Sequence, residues 1–481
     1  MIWGFELRML SVGLISTITL VAFESLAVLT VAPAMSADLS GLSLYGWVAG
    51  AFFLTTVVGL VLAGVAMDRA GPSRPLLAGL FAFGAGLAVA ATARSMLVVI
   101  VGRGLQGLGA GAMTAITMAT IGQVYPAEVR PKMFAVLSTA WVVPSLGGPA
   151  VAAVVADQVG WRWVFGGLIP LVVLAGGITA WAMGVTPAAA GSVTTQNETT
   201  KDIWPAEEAG RTPLARALLV AGGAGLVLAG LTSRSLLGIP LVVAGLLAGV
   251  GPLRRLLPDG ALRARPGAPA AVLSRGLIAF VYFGAEAFFP LTITSPRHAS
   301  TGVAGVGVTA AAIIWTCGSW TQARLAARQS ARFLVTVGLS VMVCGIAGAG
   351  SALLDQDVPL PVGIGLWALA AFGIGLSFSP CMNVALNAAP AGRQGAASSS
   401  VSLADNLGTA FGTGLGGVVV AAGGSAGHSG AVAGAAQLAP TAGLGGAFAL
   451  SVAAGLIGIA VARRLPDTIL AAAQPVERPP A

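Results

Sequence analysis

The sequence predicts an all-α polytopic membrane protein with fourteen transmembrane helices, and three observations predict it. The first is composition. Of 481 residues, 56% are hydrophobic and 9% are charged, where a soluble domain carries about 25% charge. The second is a series of apolar runs at 9–32, 44–67, 75–93, 96–121, 133–156, 163–185, 214–231, 235–252, 271–294, 302–323, 331–354, 359–388, 395–422 and 441–462. Most approach the roughly 20 residues that a spanning helix needs. The third is the sidedness of the basic residues. With the N-terminus in the cytoplasm, twenty of the 25 fall on the inner side. Arg94, Arg162, Arg234 and Arg297 fall outside, and only Arg103 is left within a span. That asymmetry supports an even number of spans, with both termini in the cytoplasm.

The runs divide the chain. Residues 1–185 hold six spans, and 186–213 form a polar, proline-containing cytoplasmic linker. Residues 214–252 hold two short spans, which also read as one re-entrant pair or a surface hairpin. A basic cytoplasmic linker follows at 253–270, then six more spans in 271–464 and a cytoplasmic tail at 465–481. The 6 + 2 + 6 arrangement suggests an internal repeat, a common transporter feature. The formal charge of +8 does not indicate nucleic acid, because the basic residues are scattered among short loops. Cys317, Cys344 and Cys381 lie in apolar runs, with no metal-ligand or disulfide spacing. No nucleotide loop appears, so neither an enzyme nor an ATP-driven pump is expected. The sparse lysine and abundant Arg, Ala and Gly suggest a bacterial, GC-rich source.

Span one carries Glu24, roughly 16 residues or about 24 Å from the start of its run. An ionised acid at such depth costs about 2.5–3.5 kcal/mol on insertion scales, so it marks a proton or cation site facing a water-filled cavity. Span nine carries Glu286 at a similar depth, and each acid precedes a proline, Pro33 and Pro290. Span four carries Arg103, a guanidinium that stays charged and needs an acid, carbonyls or water around it. Asp405 lies roughly ten residues, about 15 Å, into span thirteen. If Glu24, Glu286 and Asp405 all face one cavity, its potential is negative, offset by Arg103. That favours a cationic substrate. Asp405 and Asn406 also read as groups that cap or bond helices across the bundle. Trp141, Phe283, Phe288 and Trp315 are candidates to line the cavity or stack on a cation.

Several stretches resemble motifs of the major facilitator superfamily. Gly64–Arg74, with Asp68, Arg69, Gly71 and Arg74, is similar to its cytoplasmic loop signature. Arg103 with Gln106 and Gly107 resembles its fourth-helix motif, and Pro144–Pro149, with Gly147 and Gly148, its fifth-helix antiporter motif. Trp47–Leu54 resembles a second-helix pattern, and Trp161–Phe165 a sixth-helix signature. Glu24 stands nine residues before Pro33, as an acid does in the fourteen-span drug:proton antiporter group. Leu26, Leu29 and Leu168 depart from the group's usual polar residues. In span thirteen Asp405 stands near a usual Arg, and Gln322 replaces the loop Asp in the second half.

The resemblance implies two six-helix bundles around a central cavity, with two helices inserted between them. It implies a proton-coupled antiporter that exports lipophilic, cationic drugs or metabolites by alternating access. Proton coupling falls to Glu24, Glu286, Asp405 and Arg103, and a conformational latch to Asp68, Arg69, Arg74 and Arg130. Gly147, Gly148 and Pro149 form the antiporter motif. Gln106, Trp141, Phe283, Trp315, Asn383 and Asn406 line the substrate cavity. No cofactor beyond the proton gradient and no metal is implied. The partners are a small lipophilic substrate, protons and membrane lipids, without nucleic acid, and the protein is expected as a monomer in the bacterial cytoplasmic membrane. An exporter of lipid or secondary metabolite on the same fold remains open, as does a membrane sensor or scaffold that transports nothing.

Overall fold

The computed structural model describes residues 5–125, 142–185, 212–233, 238–390, 394–426 and 441–467, with Met133, Val136, Ala140 and Trp204 besides. All long elements are helices. The first half holds α1 (Phe5–Asp38), α2 (Tyr45–Ala70), α3 (Ser73–Ala91), α4 (Met96–Val124), α5 (Val142–Val159), α6 (Arg162–Gly166) and α7 (Leu168–Val185). Next come α8 (Thr212–Thr232) and α9 (Gly238–Leu256). The second half holds α10 (Ala268–Glu286), α11 (Phe289–Thr294), α12 (Thr301–Leu325), α13 (Ala331–Leu354), α14 (Leu360–Asn387), α15 (Gln394–Ala426) and α16 (Thr441–Ala462).

Among the described residues, 12 segments are long and apolar enough to cross a membrane, with α6–α7 and α10–α11 each forming one segment. The expected fourteen is met only to that extent. The two long helices outside the set are α5, part of whose predicted run lies outside the described residues, and α15, in which glycines, serines, Asp405 and Asn406 dilute the apolar character.

Helix pairing repeats between the halves. In the first, α2 and α3 pack on α4, α1 packs on α5 and α7, and α3 packs on α7. In the second, α12 and α13 pack on α14, α10 packs on α15 and α16, and α13 packs on α16. Span by span these are the same pairs, as an internal repeat requires. Glycines make the close crossings possible, because small residues let helix backbones touch in lipid. Gly107 of α4 lies against the Phe52 carbonyl of α2, and Gly375 of α14 lies against the Trp315 carbonyl of α12.

The halves meet along two seams, α2 with α15 and α5 with α12, and through α1 on α11 and α12. The closest approaches lie toward the end of the bundle where α1 turns into α2. A Cβ on Gly46 would stand 3.0 Å from the Gly417 Cα, and one on Gly305 would stand 3.0 Å from the Pro149 carbonyl. At that end Asp38 accepts from Trp161 (3.1 Å) and Arg162 (2.8 Å), while Arg162 also donates to the Ala93 carbonyl (2.9 Å). The Trp161–Phe165 stretch therefore ties the ends of α1 and α3 to α6.

Helix α8 packs on both α2 and α15, and α9 packs on α8. The inserted pair thus lies across one seam rather than against a single half. Trp47 of α2 donates to Thr232 of α8 (3.3 Å), and Leu228 of α8 fills the space over Gly414 of α15.

Candidate functional site

Arg103 and Gln106 are three residues apart on α4, so their side chains share one face. Glu24 of α1 meets that face. Glu24 and Gln106 are 0% exposed and Arg103 is 3% exposed. Arg103 Nη1 donates to Glu24 Oε1 and to Gln106 Oε1. Its Nε donates to the Val48 carbonyl of α2 (3.0 Å), and its guanidinium lies 4.3 Å from the Phe52 ring centroid. The Trp47–Leu54 stretch therefore serves two neighbours: Trp47 holds α8, while Val48 and Phe52 hold the arginine. Among the described residues Glu24 Oε2 and Gln106 Nε2 have no hydrogen-bond partner. A buried pair of this kind is costly to keep half satisfied.

Glu286 sits where α10 breaks before α11, 8% exposed. Its polar contact is the Tyr282 side chain. Among the described residues it has no basic partner. Tyr282 stacks on Trp367 at 5.2 Å and meets Trp315 edge-on at 5.4 Å. Phe283 lies 5.9 Å from Trp315 and 6.5 Å from Phe53 of α2, so the aromatic contacts run across the two halves. Phe288 faces Tyr45 at 5.5 Å. Pro33 follows its acid by nine residues and Pro290 by four, and the two prolines act differently. The helix runs through Pro33 in α1, while Pro290 opens a new helix, α11.

Of its two readings, Asp405 takes the one in which it bonds a neighbouring helix. Arg275 of α10, 7% exposed, donates from Nε to Asp405 Oδ1 (3.0 Å) and from Nη2 to Oδ2 (3.3 Å). Its Nη1 donates to the Phe378 carbonyl (2.8 Å). With Arg275 counted beside Arg103, the surplus of two acids that would follow if all three faced one cavity falls to one, Glu286. Counting charges by loop assigned Arg275 to the inner surface, because it falls near the start of its apolar run. The helix begins earlier, at Ala268, and carries Arg275 into the bundle. The signal that could have found it is Asp405, a half-buried charge in need of a partner.

The remaining predicted residues are dispersed. Gly148 lies against the Phe23 ring of α1, and Pro149 against Gly305 of α12, so the fifth-helix motif stands at a seam between the halves. Gly147 has open space beside it. Phe283 and Trp315 belong to the aromatic contacts around Tyr282. Asn406 donates to Ser402 of its own helix (2.8 Å), so it makes no cross-bundle bond there. Asn383 and Arg74 are exposed, and Gln322 is buried. The Asp68 and Arg69 side chains, Arg130 and Trp141 lie outside the described residues.

A family model described as the Major Facilitator Superfamily matches residues 13–413. A protein of Mycobacterium tuberculosis named "Probable multidrug-efflux transporter" is 28% identical over 95% of both chains. The multidrug transporter protein MdtP of Bacillus subtilis is 32% identical over 35% of this chain and 31% of its own. Among solved structures, a bacterial homologue of the human lysosomal transporter Spinster superposes with a TM-score of 0.66 at 14% identity, covering 94% of this chain and 95% of its own. A D-xylose–proton symporter does so with a TM-score of 0.64 at 15% identity, covering 95% and 98%.

Proposed function

Because the chain belongs to the Major Facilitator Superfamily, we propose that it is a proton-coupled antiporter, a transporter and not an enzyme, which exports lipophilic cations by alternating access. The observation that carries this reading is the Glu24–Arg103–Gln106 cluster, fully buried in the bundle with one carboxylate oxygen unpaired. The named relatives favour drug export, since the M. tuberculosis protein aligns along nearly its whole length.

In this mechanism a proton taken up at Glu24 Oε2 neutralises the acid and frees Arg103 from it. Arg103 keeps Gln106, the Val48 carbonyl and the Phe52 face, so α1 uncouples from α2 and α4. Glu286, the acid without a base, attracts the cationic substrate into the aromatic surroundings of Phe283 and Trp315. Arg275 and Asp405 neutralise each other and act as a fixed joint between α10 and α15. Asp68, Arg69, Arg74 and Arg130 serve the conformational switch. With α5 and α15 counted, fourteen spans cross a bacterial cytoplasmic membrane. The N-terminus, the linkers and the C-terminal tail are cytoplasmic, and the cavity opens away from the end where the halves meet. The protein works as a monomer on the proton gradient, with no cofactor.

The test is proton release from detergent-purified protein on addition of a lipophilic cation such as tetraphenylphosphonium. Wild type releases protons, and Glu24→Gln abolishes the release. Glu286→Gln weakens cation binding. Cation binding without proton release in wild type refutes the coupling, and absence of any cation binding redirects the search to lipids.

A further inference from the structure

Outside the central bundle, one surface gathers like charge without neutralising it. Arg254 and Arg255 end α9, and Arg263 and Arg265 follow in the linker. Arg463 and Arg464 follow α16, almost 200 residues later. The two segments are joined. Arg464 Nη1 donates to the carbonyls of Arg263 and Ala264 (both 3.0 Å), and the Gly267 amide donates to the Arg464 carbonyl (3.1 Å).

The linker is a built structure. Leu257, Ala261 and Ala264 are buried beneath it. Gly260, Ala264 and Gly267 adopt positive φ values of 86°, 49° and 91°, and a non-glycine residue is rare there. Ser400 of α15 ties down the Leu256 carbonyl at 3.0 Å. This framework leaves Arg254, Arg255, Arg263, Arg265, Arg463 and Arg464 exposed, beside Leu262, which is 45% exposed.

Among the described residues none of these six arginines has a carboxylate partner. Asp259 is exposed in the same linker, and Asp467 is held by Ser330 (2.9 Å) and Arg332 (3.2 Å). The α9 macrodipole favours Arg254 and Arg255 in its last turn. Membrane sidedness asks only that basic residues lie on one side. Neither explains why two distant segments, each carrying exposed arginines, are hydrogen-bonded to one another. A shared anion does, and the guanidinium fork suits a phosphate. The patch follows directly on two spanning helices and carries an exposed leucine, which puts that phosphate at the membrane surface.

We propose that the linker after α9 and the end of α16 form a binding site for the headgroup of an anionic glycerophospholipid. The site is independent of the export mechanism, and loss of either leaves the other standing.

The test compares phosphatidylglycerol with phosphatidylcholine of the same acyl chains, added to purified full-length protein and counted by native mass spectrometry. Wild type retains phosphatidylglycerol selectively, and added sodium chloride weakens the retention, as for any exposed charge contact. The Arg263→Gln, Arg265→Gln, Arg463→Gln variant binds it about tenfold more weakly or worse, while Arg94→Gln at the opposite end binds as wild type does. Equal retention of the two lipids, or unchanged affinity in the triple variant, overturns the proposal. Full displacement of the lipid by equimolar inorganic phosphate also overturns it, assigning the site to the free anion. If the triple variant does not survive purification, the salt dependence of wild type and the single Arg265→Gln variant decide.

Discussion

Arg103 holds three groups with one guanidinium, a carboxylate, a side-chain amide and a backbone carbonyl, with an aromatic face alongside. A lysine is a compact charge on a flexible stem and cannot reproduce that fork. Arg103→Lys should therefore insert and fold, yet lose drug efflux in cells, read as a fall in resistance to wild-type-free levels. Glu24→Gln should flatten the pH dependence of substrate transport measured in vesicles. Asp405→Asn leaves Arg275 buried beside the Phe378 carbonyl without its counter-charge. Breaking a buried pair on one side costs about 3–5 kcal/mol, so this variant should show a marked drop in thermal stability in detergent. Asp405→Leu with Arg275→Met should recover much of it. Glu24 and Arg103 were legible in the sequence because each is a charge deep within an apolar run. Arg275 was not, because a run of apolar letters does not reveal how far the helix extends before it. Arg297 was read as a loop charge and lies in the turn between α11 and α12, but its partners were not legible. It donates to the carbonyls of Ala352, Leu353, Gln356 and Val358, closing the end of α13.

At the scale of helices, the contacts between halves rest on residues without side chains. Gly46 on Gly417 and Gly305 on Pro149 leave no room for a larger group. Gly46→Leu should hold that end apart. A cysteine placed beside it should then react faster with a membrane-impermeant thiol reagent from outside, and export should stop while the protein still reaches the membrane. Helix existence was largely legible, since length and apolarity decide it. Helix breaks were not. Pro33 and Pro290 look alike in sequence, yet only the second lies at a break, between Glu286 and Phe289. The exposed indole ring of Trp163 and the buried ring of Phe165, two letters apart in one signature, likewise separate only once α6 is packed against α3.

At the scale of the molecule, the repeat was legible from the 6 + 2 + 6 spacing, and the packing bears it out pair by pair. The seat of the inserted helices was not legible, because Gly- and Ala-rich faces are similar on every helix here and fit many partners. Helix α8 touches α2 through Trp47 and Thr232 and α15 through Leu228 and Gly414. If α2 and α15 separate in each cycle, one of these contacts must slip. In a background lacking Cys317, Cys344 and Cys381, cysteine pairs at Trp47 with Thr232 and at Leu228 with Gly414 test this. Cross-linking either pair alone should leave transport running, and cross-linking both should halt it. The same placement makes the protein one-sided toward the bilayer. Along the α2–α15 line a hairpin roofs the joint, whereas among the described residues no helix roofs the α5–α12 line. Among the described residues, a molecule dissolved in lipid therefore meets a wall along α2–α15 and an uncovered joint along α5–α12, the flank on which a sideways doorway is expected.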